Sequence, residues 1–257
     1  MADRPSLETS ALLQRLDGVT LLDLEVVSSE AITPTMQRIT CTAPELAEFT
    51  SLPGQDLMLA VPSPQGASFR RRYTIRSVDQ ANALIHIDIV RHGDGPGATW
   101  AATAQPGSHI EGIGPRGKIT VDPAAAWHLF VGDDSAIPAS LAMAESLGTA
   151  DQSVLVLEVD GPADEQSAQA QDGQDLAVHW LHRAGADPAS PANLVSAVQA
   201  VDLPAGPGHA YLAGELGVVA ALRRALLERG LTAEQISSKP YWRAGVANAA
   251  HGEPERT

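Results

Sequence analysis

The spacing of apolar residues changes character near residue 122, and that change limits the folds open to the chain. From about residue 19 the apolar side chains fall in short runs, over 20–27, 36–42, 56–61, 72–78, 84–90 and 118–121. Pro34, Pro53-Gly54, Pro62, Pro64, Gly66 and Pro106-Gly107 punctuate them. Short runs between turn residues predict a small antiparallel β-barrel. The run Leu84–Val90 (LIHIDIV) alternates, so Ile85, Ile87 and Ile89 face a core and Leu84, His86, Asp88 and Val90 the other side. Beyond Asp122-Pro123 the apolar runs 127–131, 154–159, 178–181 and 210–213 alternate with helical segments. One helix follows GDDSAIPASLAMAESLG to Gly148; another carries Leu216, Val219, Leu222, Leu226 and Leu227 on one side and stops at Gly230. Strands alternating with helices predict a parallel sheet.

The expected organisation is therefore an N-terminal antiparallel barrel domain over 19–122 and a C-terminal α/β parallel-sheet domain over 126–245. A helical extension over 1–18, with Leu7, Leu12, Leu13 and Leu16 at near-helical spacing, precedes them, and a tail over 246–257 follows. The polar stretch 161–175 reads as a surface loop.

Charge narrows the partners. Seventeen Lys and Arg against 31 Asp and Glu leave a formal −14, which argues against nucleic acid or an anionic membrane surface. The single cysteine, Cys41, excludes an intrachain disulfide, a four-cysteine zinc site and a cysteine-ligated iron–sulfur cluster. No apolar run reaches the ~18 residues of a membrane span, and the first twenty residues lack a secretion signal, so a cytoplasmic protein without membrane insertion is expected. Residues 70–118 nevertheless hold seven basic side chains (Arg70, Arg71, Arg72, Arg76, Arg91, Arg116 and Lys118) against four acids, a local +3 in an acidic chain. Such a zone is either a solvated strand edge or an anion site, since guanidinium donates in pairs to phosphate and carboxylate.

Three motifs bear on that choice. Gly112–Gly117 (GIGPRG) matches G-x-G-x-x-G, but a strand-like run, Lys118–Val121, follows it where a dinucleotide fingerprint needs a helix, so it is not one. Residues 92–102 (HGDGPGATWAA) place glycines directly after a strand and ahead of a short helix. Free amides at that helix start, with the Thr99 hydroxyl, would cradle a phosphate; the plainer alternative is a loop with a capped helix. In Arg71-Arg72-Tyr73-Thr74-Ile75-Arg76, strand alternation puts Arg71 and Tyr73 on one face and Arg72 and Thr74 on the other. A guanidinium, an aromatic ring and a hydroxyl suit a nucleotide cofactor; an edge strand with a core tyrosine is the competing reading.

Arg71-x-Tyr73-Thr74 followed by the glycine-rich segment resembles the FAD-binding barrel of the ferredoxin-reductase-like superfamily. HGDGPGATWA, GPRG, GDDSAIPA, ADEQ, YLAGE and YWRAG, in that order from about residue 20 to 245, resemble the siderophore-interacting protein family of flavin-dependent ferric-siderophore reductases. Departures are small: Gly97-Ala98-Thr99 where Ala then Ser is commoner, Asp134 and Ser135 where Glu and Thr are usual, and Lys239-Pro240 before Tyr241.

The resemblance implies FAD as cofactor, with Arg71 on its phosphate, Tyr73 against the isoalloxazine ring and Thr74 near N5. Gly95, Pro96, Gly97, Ala98 and Thr99 would hold the pyrophosphate, and Asp88, Val90 and His92 would touch the flavin or its ribityl chain, His92 serving equally well as a cap. Gly132, Asp133, Asp134, Ser135 and Ala136, with Gly214 and Glu215, would form the nicotinamide-nucleotide site, although Asp133, Asp134 and Glu215 would repel a pyrophosphate. Trp242 would close over the flavin or simply pack a C-terminal strand. Arg76, Arg116 and Arg243 are the candidates for contacting substrate.

The same resemblance implies electrons passing from NADPH or NADH, or from ferredoxin, through FAD to a ferric siderophore, with Fe(II) released for cellular iron use; the protein is expected to be a monomer. Flavin couples a two-electron donor to a one-electron acceptor, so no protein acid, base, nucleophile or metal ligand is called for. Asp160 and Asp164 favour a free ribose hydroxyl on the donor, whereas His182 and Arg183 would suit a 2′-phosphate; the family leans to NADPH. The rivals are a general NAD(P)H:flavin or quinone oxidoreductase on the same fold and a non-catalytic siderophore-binding module. A serine hydrolase is disfavoured, since GDDSA is not G-x-S-x-G.

Overall fold

In the computed structural model residues 18–62, 68–91 and 95–246 are described. The expected helix over 7–16, His92 and the tail beyond 246 lie outside them. The chain divides into two compact units, one of Met1–Ala31 and Gln37–Thr120, the other of Ile32–Met36 and Val121–Thr257.

The first unit is an antiparallel sheet curled into a half-barrel. Its seven strands are β1 (Thr20–Ala31), β2 (Met36–Thr42), β3 (Asp56–Pro62), β4 (Ser68–Thr74), β5 (Ser77–Asp79), β6 (Leu84–Val90) and β7 (His109–Arg116), ordered β4-β3-β7-β1-β2-β6-β5. Period-two alternation builds the core: Leu22, Leu24 and Val26 of β1 are buried while Leu21 and Val27 face out, and Ile85, Ile87 and Ile89 of β6 point inward as expected. Burying each such side chain stabilises the unit by about 1.5–3 kcal/mol. One helix, α1 (Pro96–Thr103), packs Trp100 and Ala101 into this core.

Two expectations change here. The strand expected at 118–121 is absent; the glycine-rich segment before it is itself a strand, β7, between β1 and β3. The cause is packing. A Cβ on Gly112 would lie 3.0 Å from Leu59 and 3.1 Å from Leu24, and one on Gly114 would lie 2.3 Å from Leu57, so glycine admits the leucines of both neighbouring strands. The run 72–78 divides into β4 and β5, because Ile75 and Arg76 turn their amides to Gln55 and His86 carbonyls, at 2.9 Å each.

The second unit is a parallel sheet of β8 (Trp127–Gly132), β9 (Ser153–Val159), β10 (Val178–His182), β11 (Gly208–Glu215) and β12 (Ile236–Trp242), ordered β10-β9-β8-β11-β12. Its helices are α2 (Ile137–Glu145), α3 (Ala192–Ala200) and α4 (Leu216–Glu228). α3 was not expected from the sequence; it buries Leu194 and Val198, one turn apart. The stretch 161–175 is less exposed than expected: Asp164 is buried and accepts from the Thr35 amide (3.0 Å) and hydroxyl (2.7 Å). In chain order β9 lies on one side of β8 and β11 on the other. The connections thus diverge at the C-terminal ends of β8 and β11, where open α/β sheets bind ligands.

Candidate functional site

In the first unit the site candidates gather on β4 and α1. Alternation along β4 puts Phe69, Arg71 and Tyr73 on one face, and the Arg71 guanidinium lies over the Phe69 ring, 5.4 Å from its centroid. Arg71 Nη1 donates to the Arg70 carbonyl at 2.8 Å, and among the described residues no carboxylate partners it. Arg72, on the other face, is held by both oxygens of buried Asp56, at 2.8 Å each, and Thr74 is buried. Burial pushes the Tyr73 phenol up to about 12, with the Arg71 charge pulling the other way, so the ring is neutral and fixed.

The Tyr73 hydroxyl meets α1 at Gly97. A Cβ there would sit 1.7 Å from Tyr73 Oη, so only glycine lets the phenol reach the first turn of the helix. That turn is open. Gly95 precedes it without a side-chain cap, no acid occupies it, and Pro96 at its start has no N–H to satisfy. The Thr99 amide bonds the Gly95 carbonyl at 3.0 Å, and helix geometry leaves the Gly97 and Ala98 amides without an intrahelical acceptor. A Cβ on Gly95 would meet nothing within 4 Å, which leaves room for a ligand. Open amides at a helix start that meets a half-buried phenol, with a guanidinium on the same face of β4 as that phenol, fit a phosphate-bearing flavin.

Asp88 is paired with arginine. Its carboxylate is buried on β6 and bound at 2.7 Å by both Nε and Nη2 of Arg38, with Arg76 Nε at 3.8 Å. The bidentate pair holds Asp88 and Arg38 together, with Arg76 nearby. Val90, at the end of the same strand, is half-buried. Arg116 is half-buried at the end of β7, its Nε enclosed and without a hydrogen-bond partner among the described residues, and Arg243 is exposed after β12.

At the crevice of the second unit the chemistry runs the other way. Gly132 ends β8 so close to β11 that a Cβ would lie 2.2 Å from the Ala213 carbonyl oxygen, and Gly214 has φ +136° with the Asp133 carboxylate against it. These glycines let Asp133 insert between the strands. Its Oδ1 accepts from the Ser135 amide (2.9 Å) and hydroxyl (2.5 Å), and its Oδ2 from the Glu215 amide (2.9 Å) and Trp242 Nε1 (2.8 Å). Burial and the Asp134 charge push its carboxyl upward, and these donors restrain the rise. The Ala136 amide bonds the Asp133 carbonyl at 2.9 Å. Glu215 caps α4 through the Gly217 and Val218 amides and accepts from the Ala244 amide at 3.2 Å. The amides of Ser135, Ala136 and Glu215, residues expected to form the nicotinamide-nucleotide site, are thus satisfied from within, and Trp242 is anchored into the same network.

The family description "Siderophore-interacting protein" matches residues 125–245, and "Siderophore-interacting FAD-binding domain" matches 61–119. Ferric vibriobactin reductase ViuB of Vibrio cholerae is 34% identical over 196 residues, 74% of this chain and 70% of that protein. The chain belongs to the siderophore-interacting protein family. An uncharacterised protein of Mycobacterium tuberculosis is 39% identical over 186 residues, 68% of this chain and 65% of its own, so the match spans just under two thirds of that relative. A siderophore utilization protein from T. fusca superposes with a TM-score of 0.83 at 31% identity, covering 92% of this chain and 98% of that one. The fold alone extends to phthalate dioxygenase reductase, at 21% identity and a TM-score of 0.64.

This family member also carries a cluster that sequence reading missed. His209 Nε2 lies 2.9 Å from Ser237 Oγ and its Nδ1 3.5 Å from Asp122 Oδ2, while buried His128 stacks with Phe130 and Tyr211. Ser, His and Asp in a row suggest a hydrolase, but they sit at the N-terminal ends of β11 and β12, opposite the ligand-binding edge of such a sheet. Their role is in stability. Burial lowers the pKa of both His128 and His209. Each is therefore neutral when folded and takes a proton at higher pH when unfolded. Stability is complete above about pH 6.5 and falls as pH drops towards the folded values. The thermal midpoint should be lower at about pH 5.5 than at about pH 7.5, and His128→Phe should flatten that dependence in scanning calorimetry.

Among the described residues no helix is long and apolar enough to cross a membrane, and no three His, Cys, Asp or Glu gather as metal ligands.

Proposed function

We propose that this protein is a flavin-dependent ferric-siderophore reductase that takes electrons from a nicotinamide nucleotide. The observation that carries the reading is the start of α1, without a side-chain cap and closed against Tyr73 at Gly97, with Arg71 on the same face of β4 as Tyr73 and no carboxylate on it among the described residues, in a chain of this family. Bound FAD supplies the step from a two-electron donor to a one-electron acceptor.

The residues bind and orient. The Gly97 and Ala98 amides and the Arg71 guanidinium hold phosphate oxygens, the Tyr73 ring gives a flat, neutral surface for the isoalloxazine, and the Thr74 hydroxyl lies one residue on. The local positive charge of residues 70–118 steers an anionic ferric chelate toward the barrel. One hydride covers two ferric centres, and each Fe(II) leaves because hard oxygen ligands hold Fe(III) more tightly. At the crevice, the amides spent on Asp133 and Glu215 leave a dinucleotide pyrophosphate with few donors, so the nicotinamide donor binds weakly and its KM is high.

One preparation tests the reading. Purified protein should show an oxidised-flavin spectrum that bleaches anaerobically with NADH or NADPH and returns on adding a ferric siderophore, with Fe(II) trapped by a coloured chelator. Folded protein that stays colourless in excess FAD would overturn it. Arg71→Ala should weaken FAD binding by about tenfold or more, measured as flavin per protein and by fluorescence titration. Full flavin retention would remove Arg71 from the phosphate site.

A further inference from the structure

The C-terminal edge formed by β8, β9 and β10 holds one buried cation among carboxylates. Arg183, immediately after β10, has a side chain only 6% exposed. Its Nη1 and Nη2 grip the two oxygens of Asp134, at 3.0 and 2.5 Å. Glu158 near the end of β9 lies 3.7 Å from Nη1, and Asp160 just past β9 lies 4.0 Å from Nε. The neighbouring His182 is bound at 2.8 Å by Glu165. Of the acids around Arg183, Asp160 faces water, its side chain 55% exposed. Burial raises the Glu158 carboxyl, with hydrogen bonding from Asn193 and the charge of Arg183 opposing. Even with Glu158 protonated, Asp134 cancels Arg183 and Asp160 leaves the edge negative.

In a doubly wound sheet the adenosine ribose of a dinucleotide lies at this edge. A carboxylate there accepts from its 2′-hydroxyl, whereas a 2′-phosphate requires an available arginine. Arg183 is not available: using it would strip buried Asp134 of its bidentate partner. Resting on the reading of a nicotinamide donor given above, we propose that the committed Arg183 and the exposed Asp160 make this protein select NADH over NADPH.

The test uses the flavin-loaded protein. Calorimetry with 5′-ADP and with adenosine 2′,5′-bisphosphate reads the ribose subsite, and anaerobic bleaching by NADH and NADPH reads electron transfer. Expected are binding of 5′-ADP tighter by about tenfold, a matching excess in the bleaching rate with NADH, and a swing of about tenfold or more toward the 2′-phosphate in Asp160→Arg. Equal or better binding and bleaching with the 2′-phosphate ligands would overturn the selectivity and leave the nicotinamide reading standing. Selective 5′-ADP binding without bleaching by either dinucleotide would uphold the selectivity and sink the donor reading. Neither binding nor bleaching would sink both.

Discussion

Gly97→Ala is expected to cost the protein its flavin while the half-barrel stays folded. The added methyl would lie 1.7 Å from Tyr73 Oη and 3.0 Å from Cζ, distances no rotamer change on alanine can relieve. The phenol cannot retreat cheaply, because its ring packs against the half-barrel core. Either the first turn of α1 lifts or the ring swings out, at an overpacking cost of about 1–3 kcal/mol. Both movements separate the open amides from the aromatic surface. FAD affinity should fall by about a hundredfold, since two elements of the proposed site move apart. Adding Tyr73→Phe removes the atom at 1.7 Å and leaves the one at 3.0 Å, so the double variant should regain part of the loss. Flavin retention by Gly97→Ala at the native level would show that α1 and Tyr73 do not form one site.

The half-barrel core was legible because its information is local. Ile85, Ile87 and Ile89 declare their face by alternation within seven residues, and β6 forms as read. β7 was not legible for an equally physical reason. Gly112 and Gly114 look like turn residues until Leu24, Leu57 and Leu59 from two other strands arrive to fill the space above them. No window of sequence around 112 contains those leucines. α3 escaped notice because its buried face is only Leu194 and Val198, too few for a helical period to stand out.

The proposed flavin face follows the same rule, since Phe69, Arg71 and Tyr73 share a side of β4 by spacing alone. The crevice does not. The sequence shows Asp133, Asp134 and Glu215 as acids that would repel a phosphate, but gives no sign of what they hold. Asp133 is tied to Trp242, 109 residues away, and Asp134 to Arg183, 49 residues away. Such pairings depend on strand order, which places β10, β8 and β12 ends along one edge. Spacing therefore revealed a switch-point turn and concealed that its amides and its arginine were already engaged.

Arg183→Leu should destabilise the second unit as much as the loss of a large core side chain. It leaves Asp134 and Glu158 buried without their cation, and breaking a buried pair on one side costs about 3–5 kcal/mol. The unfolding midpoint of that unit should drop by roughly 10 °C. The loss should shrink in acid, because an unpartnered carboxylate escapes its burial cost by taking a proton, and it should shrink when Asp134→Asn is added. A variant within about 1 kcal/mol of the parent would mean the guanidinium is lightly held. Arg183 would then be open to a 2′-phosphate, since an arginine that can be deleted cheaply can also be lent to a ligand. A large loss, relieved by acid and by Asp134→Asn, would identify the cost that a 2′-phosphate would have to meet to recruit Arg183.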